Sequence, residues 1–292
     1  MSEYKLMNDE MTLTVSTKGA EIRSLKKNTD GREYMWQADP AFWGWTAPVL
    51  FPVVGAFRNG EYRFEGKTYH MPQHGFARRS EFVHKPVEGS ELGFVLTESP
   101  DTLKDYPFCF RLEVGYTLQG RSVNVRWRVL NTGEETMYFS IGAHPAFNCP
   151  PMQACRKNEC LLSFNAQDKL TATLLNLKVG NVSDQTMDVA LKDGMLPIAD
   201  DLFDIDTLIV ENGQAGEVSL NAPDQRPYVT VSFDAPLFGV WSPSKDAPFV
   251  CLEPWYGLAD HENFSGDLSE RKYEQRLEPQ AEFTASYKIT VA

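Results

Sequence analysis

Residues 111–130 read RLEVGYTLQGRSVNVRWRVL, and their alternation decides the fold class. In the second half, Val123, Val125, Trp127 and Val129 fall on one face, while Asn124, Arg126 and Arg128 fall on the other. A period of two is the mark of a strand with one buried face. Leu112, Val114, Tyr116 and Leu118 repeat the pattern in the first half, and Gln119-Gly120 between the halves supplies a tight turn. The segment is a β-hairpin.

Working outward, a shorter hairpin is expected from Tyr62-Arg63-Phe64 and Lys67-Thr68-Tyr69 around Glu65-Gly66. Further strands are expected near 91–97, 159–164, 206–211, 216–220, 227–233, 248–252 and 281–291. No segment carries a sustained 3.6-residue apolar period, and Pro and Gly punctuate the chain throughout, as in an antiparallel sandwich with many loops. The stretch 180–205 is polar and Asp-rich and reads as a surface excursion. The expected fold class is therefore all-β, a large antiparallel β-sandwich. With no internal repeat and no Ser/Gly/Pro-rich linker, residues 1–292 read as one domain, which a chain 42% hydrophobic has enough apolar residues to support.

Charge narrows the partners. A net charge of -12 disfavours binding to phosphate backbones or anionic membrane surfaces, which relies on clustered Lys and Arg, so neither nucleic acid nor membrane is expected as a partner. The N-terminus lacks a basic segment followed by an apolar run, and no stretch of about 18 apolar residues occurs, so a cytoplasmic protein is expected. Five cysteines in a chain of this size fit reduced thiols. Cys149, Cys155 and Cys160 do not have zinc-knuckle spacing, so no metal is expected there. P-loop, dinucleotide-binding, acyl-serine and zincin signatures are absent, which favours a reaction without cofactors.

Among five histidines, two sit in loop-like settings. His74 lies in Gln73-His74-Gly75-Phe76-Ala77-Arg78, where Gly75 permits close backbone approach and Arg78 adds a cation; a small polar ligand fits there, and so does a plain turn. His144, in Gly142-Ala143-His144-Pro145, follows the strand-like Met137-Tyr138-Phe139 and projects from a strand end, suited to general acid or base work unless it is a satisfied core histidine. His70, His84 and His261 read as structural or solvent-facing. Glu253, in Val250-Cys251-Leu252-Glu253-Pro254-Trp255-Tyr256, ends an apolar strand among aromatics. Partial desolvation there raises a carboxyl pKa and makes a better base, with Trp255 and Tyr256 as a sugar-stacking wall; the plainer reading is a buried ion pair. Asp206 opens another apolar strand and either reaches the same cleft or caps a turn. The aromatic stretch from Met35-Trp36 to Phe42-Trp43-Gly44-Trp45 is assigned to the core by default, with cleft wall and partner surface as alternatives.

Taken together and in order, Phe51-Pro52-Val53-Val54-Gly55, Gln73-His74-Gly75-Phe76-Ala77-Arg78, Gly142-Ala143-His144-Pro145-Ala146-Phe147, Leu252-Glu253-Pro254-Trp255 and Asn263-Phe264-Ser265-Gly266-Asp267-Leu268 resemble the motifs of the aldose 1-epimerase (galactose mutarotase) family, in its shorter, divergent branch. The resemblance implies a β-sandwich with an open pyranose cleft. It implies that Glu253 takes the proton of the anomeric hydroxyl, that His144 protonates the ring oxygen, and that His74 holds the ring-oxygen side. The family's substrate-binding aspartate is matched by Asp206, with Asp204 a near competitor. Ala56-Phe57-Arg58-Asn59 departs from the family's Gly-Arg pattern, leaving Arg58 or Arg78 as the substrate cation. With Arg79 these arginines favour a phosphorylated sugar, or are structural ion pairs. The expected partner is a small-molecule sugar or sugar phosphate, and the chain is expected to be a monomer or homodimer. A catalytically idle sugar sensor is the rival; a glycosidase-like sandwich would need Asp206 at hydrolytic distance from Glu253.

Overall fold

A computed structural model of the chain describes residues 1–150, 156–166 and 168–292, so Cys155 lies outside the described residues. The fold class is as expected: two large antiparallel sheets, one of nine strands and one of eight, with three small accessory sheets. The hairpin of 111–130 lies inside the nine-stranded sheet as Phe110–Gln119 and Ser122–Asn131, in the register Trp127↔Val114 and Val125↔Tyr116. Its turn is Gly120-Arg121, one residue later than the sequence pattern suggests, because Gln119 pairs with Ser122 and Gly120 takes a φ of 53°. Val123, Val125, Trp127 and Val129 are fully buried, and the C-terminal strand Glu282–Val291 pairs alongside them.

The eight-stranded sheet carries the cavity described below. Its central strand, Phe249–Tyr256, is flanked by Leu237–Trp241 on one side and by the short strands Ile141–Ala143 and Ala146–Asn148 on the other. One apolar core joins the two sheets. Phe238 of the eight-stranded sheet lies 6.0 Å from Phe164 and 5.5 Å from Phe233 of the nine-stranded sheet, ring to ring. Large aromatics buried at such distances contribute both area and edge or stacking contacts.

Two sequence expectations change. The polar stretch 180–205 begins with the strand Asn181–Ala190, which pairs with Lys169–Asn176 and forms the edge of the eight-stranded sheet. One face, with Asp184, Thr186, Asp188 and Ala190, is exposed, while the other buries Asn181 and Val189 and half-buries Ser183 and Met187, so the apolar alternation is too sparse to stand out in a polar stretch. The N-terminal strands Glu3–Met7, Met11–Ser16 and Ile22–Lys27, and the strand Leu237–Trp241, were also not anticipated. The one α-helix among the described residues is the four-residue turn Thr102–Asp105, and none of their helices is long and apolar enough to cross a membrane.

Candidate functional site

The site begins where a ladder breaks. Ile141 and Gly142 pair with Tyr256 and Trp255, and Ala146 resumes pairing at Cys251. Between them His144 and Pro145 stand opposite Leu252, Glu253 and Pro254. Two prolines in this stretch lack the N–H that regular pairing would need. Among the described residues only the Leu252 N–H bridges the break, donating to the Pro145 carbonyl at 3.2 Å, while the His144 N–H donates on the other side to the Pro48 carbonyl at 3.2 Å.

Alternation along Phe249–Tyr256 then fixes which side chains meet. Val250 and Leu252 enter the inter-sheet core, while Cys251, Glu253 and Trp255 point to the opposite face. The Trp255 indole lies across two glycines of the neighbouring strands. A Cβ would come within 2.7 Å of its ring at Gly142 and 2.6 Å at Gly239. Tyr256 turns to the core side and packs on Phe283, so it is not part of the wall assigned to it from sequence.

Above this face lies a cavity of about 310 Å3. Glu253, His144, His74, Arg78 and Asp206 all line it. Arg58 does not. Its backbone N–H donates to Asp260 and its guanidinium to the Phe264 carbonyl, beside two neighbouring depressions. Between the competing aspartates, Asp206 reaches the cavity and Asp204 belongs to the turn before it.

His144 and Glu253 form the tightest pair: Nδ1 lies 3.4 Å from Oε1, with side-chain exposures of 9% and 1%. The contact is not aligned as a hydrogen bond, and both Glu253 oxygens and His144 Nδ1 lack a partner despite being sealed from solvent. Buried polar atoms are nearly always satisfied, so three unsatisfied atoms on two residues that line one cavity mark a place where a ligand completes the bonding. Burial pushes the Glu253 carboxyl well above its ordinary range, and the Asp206 carboxylate adds to the shift; the nearby Trp255 indole opposes it without forming a well-aligned bond. Burial, then the Arg78 charge, push His144 down to about 3. Burial thus disfavours charge on both members of the pair while the cavity holds no ligand.

His74 is held differently. With a φ of 64°, it donates its backbone N–H to the Gly55 carbonyl at 2.7 Å, and the Gly55 N–H returns to its Nδ1 at 3.1 Å. Gly75 is required here. Its φ is 69° and a Cβ would lie 2.2 Å from the Phe51 oxygen. Burial, then the neighbouring His144, Arg78 and Arg79, push the ring well below the ordinary histidine range, and because Nδ1 accepts from Gly55 its proton sits on Nε2. His74 is a fixed donor.

Arg78 is buried at 8% exposure, yet no carboxylate among the described residues forms a salt bridge with it. One nitrogen donates to the Gln73 carbonyl at 2.8 Å, Nε has no partner, and the guanidinium stacks 5.0 Å from the Trp45 ring. Burial, then repulsion from Arg79, lower it to about 10. It remains charged at neutral pH, a cation open to a ligand. Asp206, at a φ of 70° and exposed at the rim, accepts from the Thr207 hydroxyl at 2.7 Å.

His144, Cys251 and Glu253 bring donor atoms within 4.8 Å of one another. Burial raises the Cys251 thiol as well as the Glu253 carboxyl, so a cation would have to displace both protons. His70, His84 and His261 lie elsewhere: His70 is exposed near Glu61, His84 contacts the Gly93 carbonyl, and His261 lies 3.1 Å from Asp184.

Trp43, Trp241, Gln73 and Thr207 also line the cavity and were not singled out from sequence. The core assignment of the aromatic stretch holds for Met35 and Trp36, while Trp43 is cavity wall and Phe42 is 38% exposed. The available signal was the cluster Phe42-Trp43-Gly44-Trp45 in a segment without strand alternation.

A model of the aldose 1-epimerase family matches residues 2–290. A curated relative, the chromosomal protein LacX of Lactococcus lactis subsp. lactis, is 31% identical over 98% of both chains. Among solved structures, a galactose mutarotase related enzyme from Lactobacillus acidophilus is 35% identical, with a TM-score of 0.92 over 100% of this chain and 97% of that one. A galactose mutarotase-like protein from Lactobacillus casei is 29% identical, with a TM-score of 0.91 over 100% of both.

Proposed function

Because the chain belongs to the aldose 1-epimerase family, we propose that it is a mutarotase that interconverts the α and β anomers of a hexose or hexose phosphate. The observation that carries the reading is the buried Glu253–His144 pair, which lines the cavity and holds three partnerless polar atoms among the described residues. Ring opening needs two proton transfers at neighbouring oxygens, one from the anomeric hydroxyl and one to the ring oxygen. A pair that shares one proton supplies both.

In this mechanism the pair's proton moves from Glu253 to His144, leaving a carboxylate and an imidazolium. Sugar hydroxyls that hydrogen-bond to the carboxylate favour this form. Glu253 takes the anomeric hydroxyl proton as the C1–O1 bond becomes a carbonyl; the bond from C1 to the ring oxygen breaks, and His144 protonates that oxygen. His74 Nε2–H steadies the ring-oxygen side. After half a turn about C1–C2, the steps run in reverse on the other carbonyl face. No covalent intermediate forms, and the pair ends with the protons it began with. Trp43, Trp241 and Trp255 provide apolar faces for the pyranose, Asp206 accepts from sugar hydroxyls, and Arg78 takes a hydroxyl or a phosphate oxygen.

The test is the approach of fresh α-glucose, α-galactose and glucose 6-phosphate to anomeric equilibrium, followed by polarimetry or NMR. Acceleration with at least one sugar, lost in Glu253→Gln, is the expected result. Binding of all three without acceleration would make the protein a sugar sensor.

A further inference from the structure

The imidazole of His144 is walled on several sides. Trp43 stacks on it with ring centroids 4.6 Å apart and planes 28° apart, Trp241 meets it edge-on at 5.4 Å, and His74 meets it edge-on at 5.7 Å. Trp43 belongs to neither large sheet. It arrives on the segment 39–45, whose backbone is pinned where the Trp43 N–H donates to the Asp39 carbonyl at 3.0 Å and the Trp36 indole donates to the Trp43 carbonyl at 2.8 Å. Behind it, Trp43 meets Trp241 at 5.6 Å and Phe249 at 6.1 Å, so the indole has a fixed seat.

We propose that Trp43 is a positioning residue for His144: its indole holds the imidazole plane against Glu253 and offers a π face to the imidazolium formed when the pair's proton moves. The proposal rests on the mutarotase reading, because that proton movement matters only if the pair works as acid and base. Two effects of one ring oppose each other. Excluding water disfavours charge on His144, whereas the electron-rich indole face favours it. A resting neutral imidazole that becomes cationic during turnover needs both. The charged and titratable groups around it are Glu253 and Cys251 on the strand Phe249–Tyr256 and His74 and Arg78 on the segment 74–79. None of them presents an apolar face to the ring, and Trp43 does.

The test compares Trp43→Phe, Trp43→Leu and Trp43→Ala, each checked for a native-like melt, by two readouts. One is the NMR titration of the His144 ring without sugar; the other is kcat and KM for the sugar that the wild type turns over. Trp43→Ala admits water, so the His144 midpoint should rise toward the ordinary histidine value and kcat should fall about 10- to 100-fold, within the span of a general acid–base contribution. Trp43→Leu keeps water out but removes the π face, so its midpoint should stay low while kcat still falls. Trp43→Phe keeps a π face and should retain kcat within about threefold. An unchanged His144 midpoint in a folded Trp43→Ala protein overturns the proposal. So does a loss confined to KM, which would make Trp43 a stacking surface for sugar. If the wild type accelerates no sugar, the mutarotase reading fails, while the His144 midpoints still decide whether Trp43 governs that ring.

Discussion

Two buried carboxylates on the same molecule have opposite surroundings. Glu274, 2% exposed, is paired with the Arg271 guanidinium, which also binds Asp260 at 2.6 Å, donates to the Leu258 carbonyl and stacks 4.4 Å from Phe57. Glu253, 1% exposed, has no basic side chain within salt-bridge distance among the described residues other than His144, which burial keeps neutral. The first cluster braces a wall: Leu258 and Ala259 line the cavity, and the adjacent Asp260 is fixed by Arg271. The second faces the cavity with its bonding incomplete. Burial raises both carboxyls, but Arg271 restrains Glu274 to about 7, whereas nearby Asp206 pushes Glu253 further. A buried charge given a partner holds structure, and one left without a partner is available for chemistry.

The contrast breaks most readily at Glu253. Glu253→Gln should lower kcat by about 10²- to 10⁴-fold and leave the thermal midpoint unchanged or higher, as mutarotation assays and melts would show. A folded variant with near-normal activity would end its role as base, and the same holds for His144→Ala. Next comes Arg271→Ala, which strands two buried carboxylates and should cost about 3–5 kcal/mol in denaturant unfolding. A loss below about 1 kcal/mol would show that the cluster is not a brace.

pH sharpens the comparison further. Glu274 has a folded pKa raised above the unfolded value, so the folded state binds more protons between about pH 4.5 and 7, and its contribution to stability declines as pH rises through that window. The stability difference between wild type and Glu274→Gln should therefore slope across the window by up to about 1.4 kcal/mol per pH unit and flatten above it. At the site, burial holds His144 down at about 3, so the ring stays neutral across the same window. Hence kcat/KM should stay flat from pH 7 to 5; a fall centred near 6.5 would show an ordinary exposed histidine instead. The smallest effect belongs to Arg58→Ala: this residue lies outside the cavity, and kcat/KM should stay within about twofold.

The hairpin of 111–130 was legible because a strand with one face in the core must alternate, whatever its neighbours. Glu253 and His144 were legible as exceptions, a carboxylate in an apolar strand and a histidine before a proline, and the resemblance to the aldose 1-epimerases gave them expected roles. Other features left weaker traces. Asn181–Ala190 is an edge strand whose inward face carries only Met187 and Val189 as apolar residues, too few to mark it as strand in a polar stretch. Arg58 and Arg78 looked equivalent along the chain, and only folding set one in the cavity and the other beside it. Trp43 looked like any other aromatic of its cluster. Local sequence determined the strands, the turns that require glycine and the unusual company of two ionisable groups, because these depend on residues near one another in the chain. The 3.4 Å separation of Glu253 from His144, the neutral state of that histidine and the indole stacked on it were decided by tertiary structure, because each depends on groups more than 100 residues apart being excluded from water together.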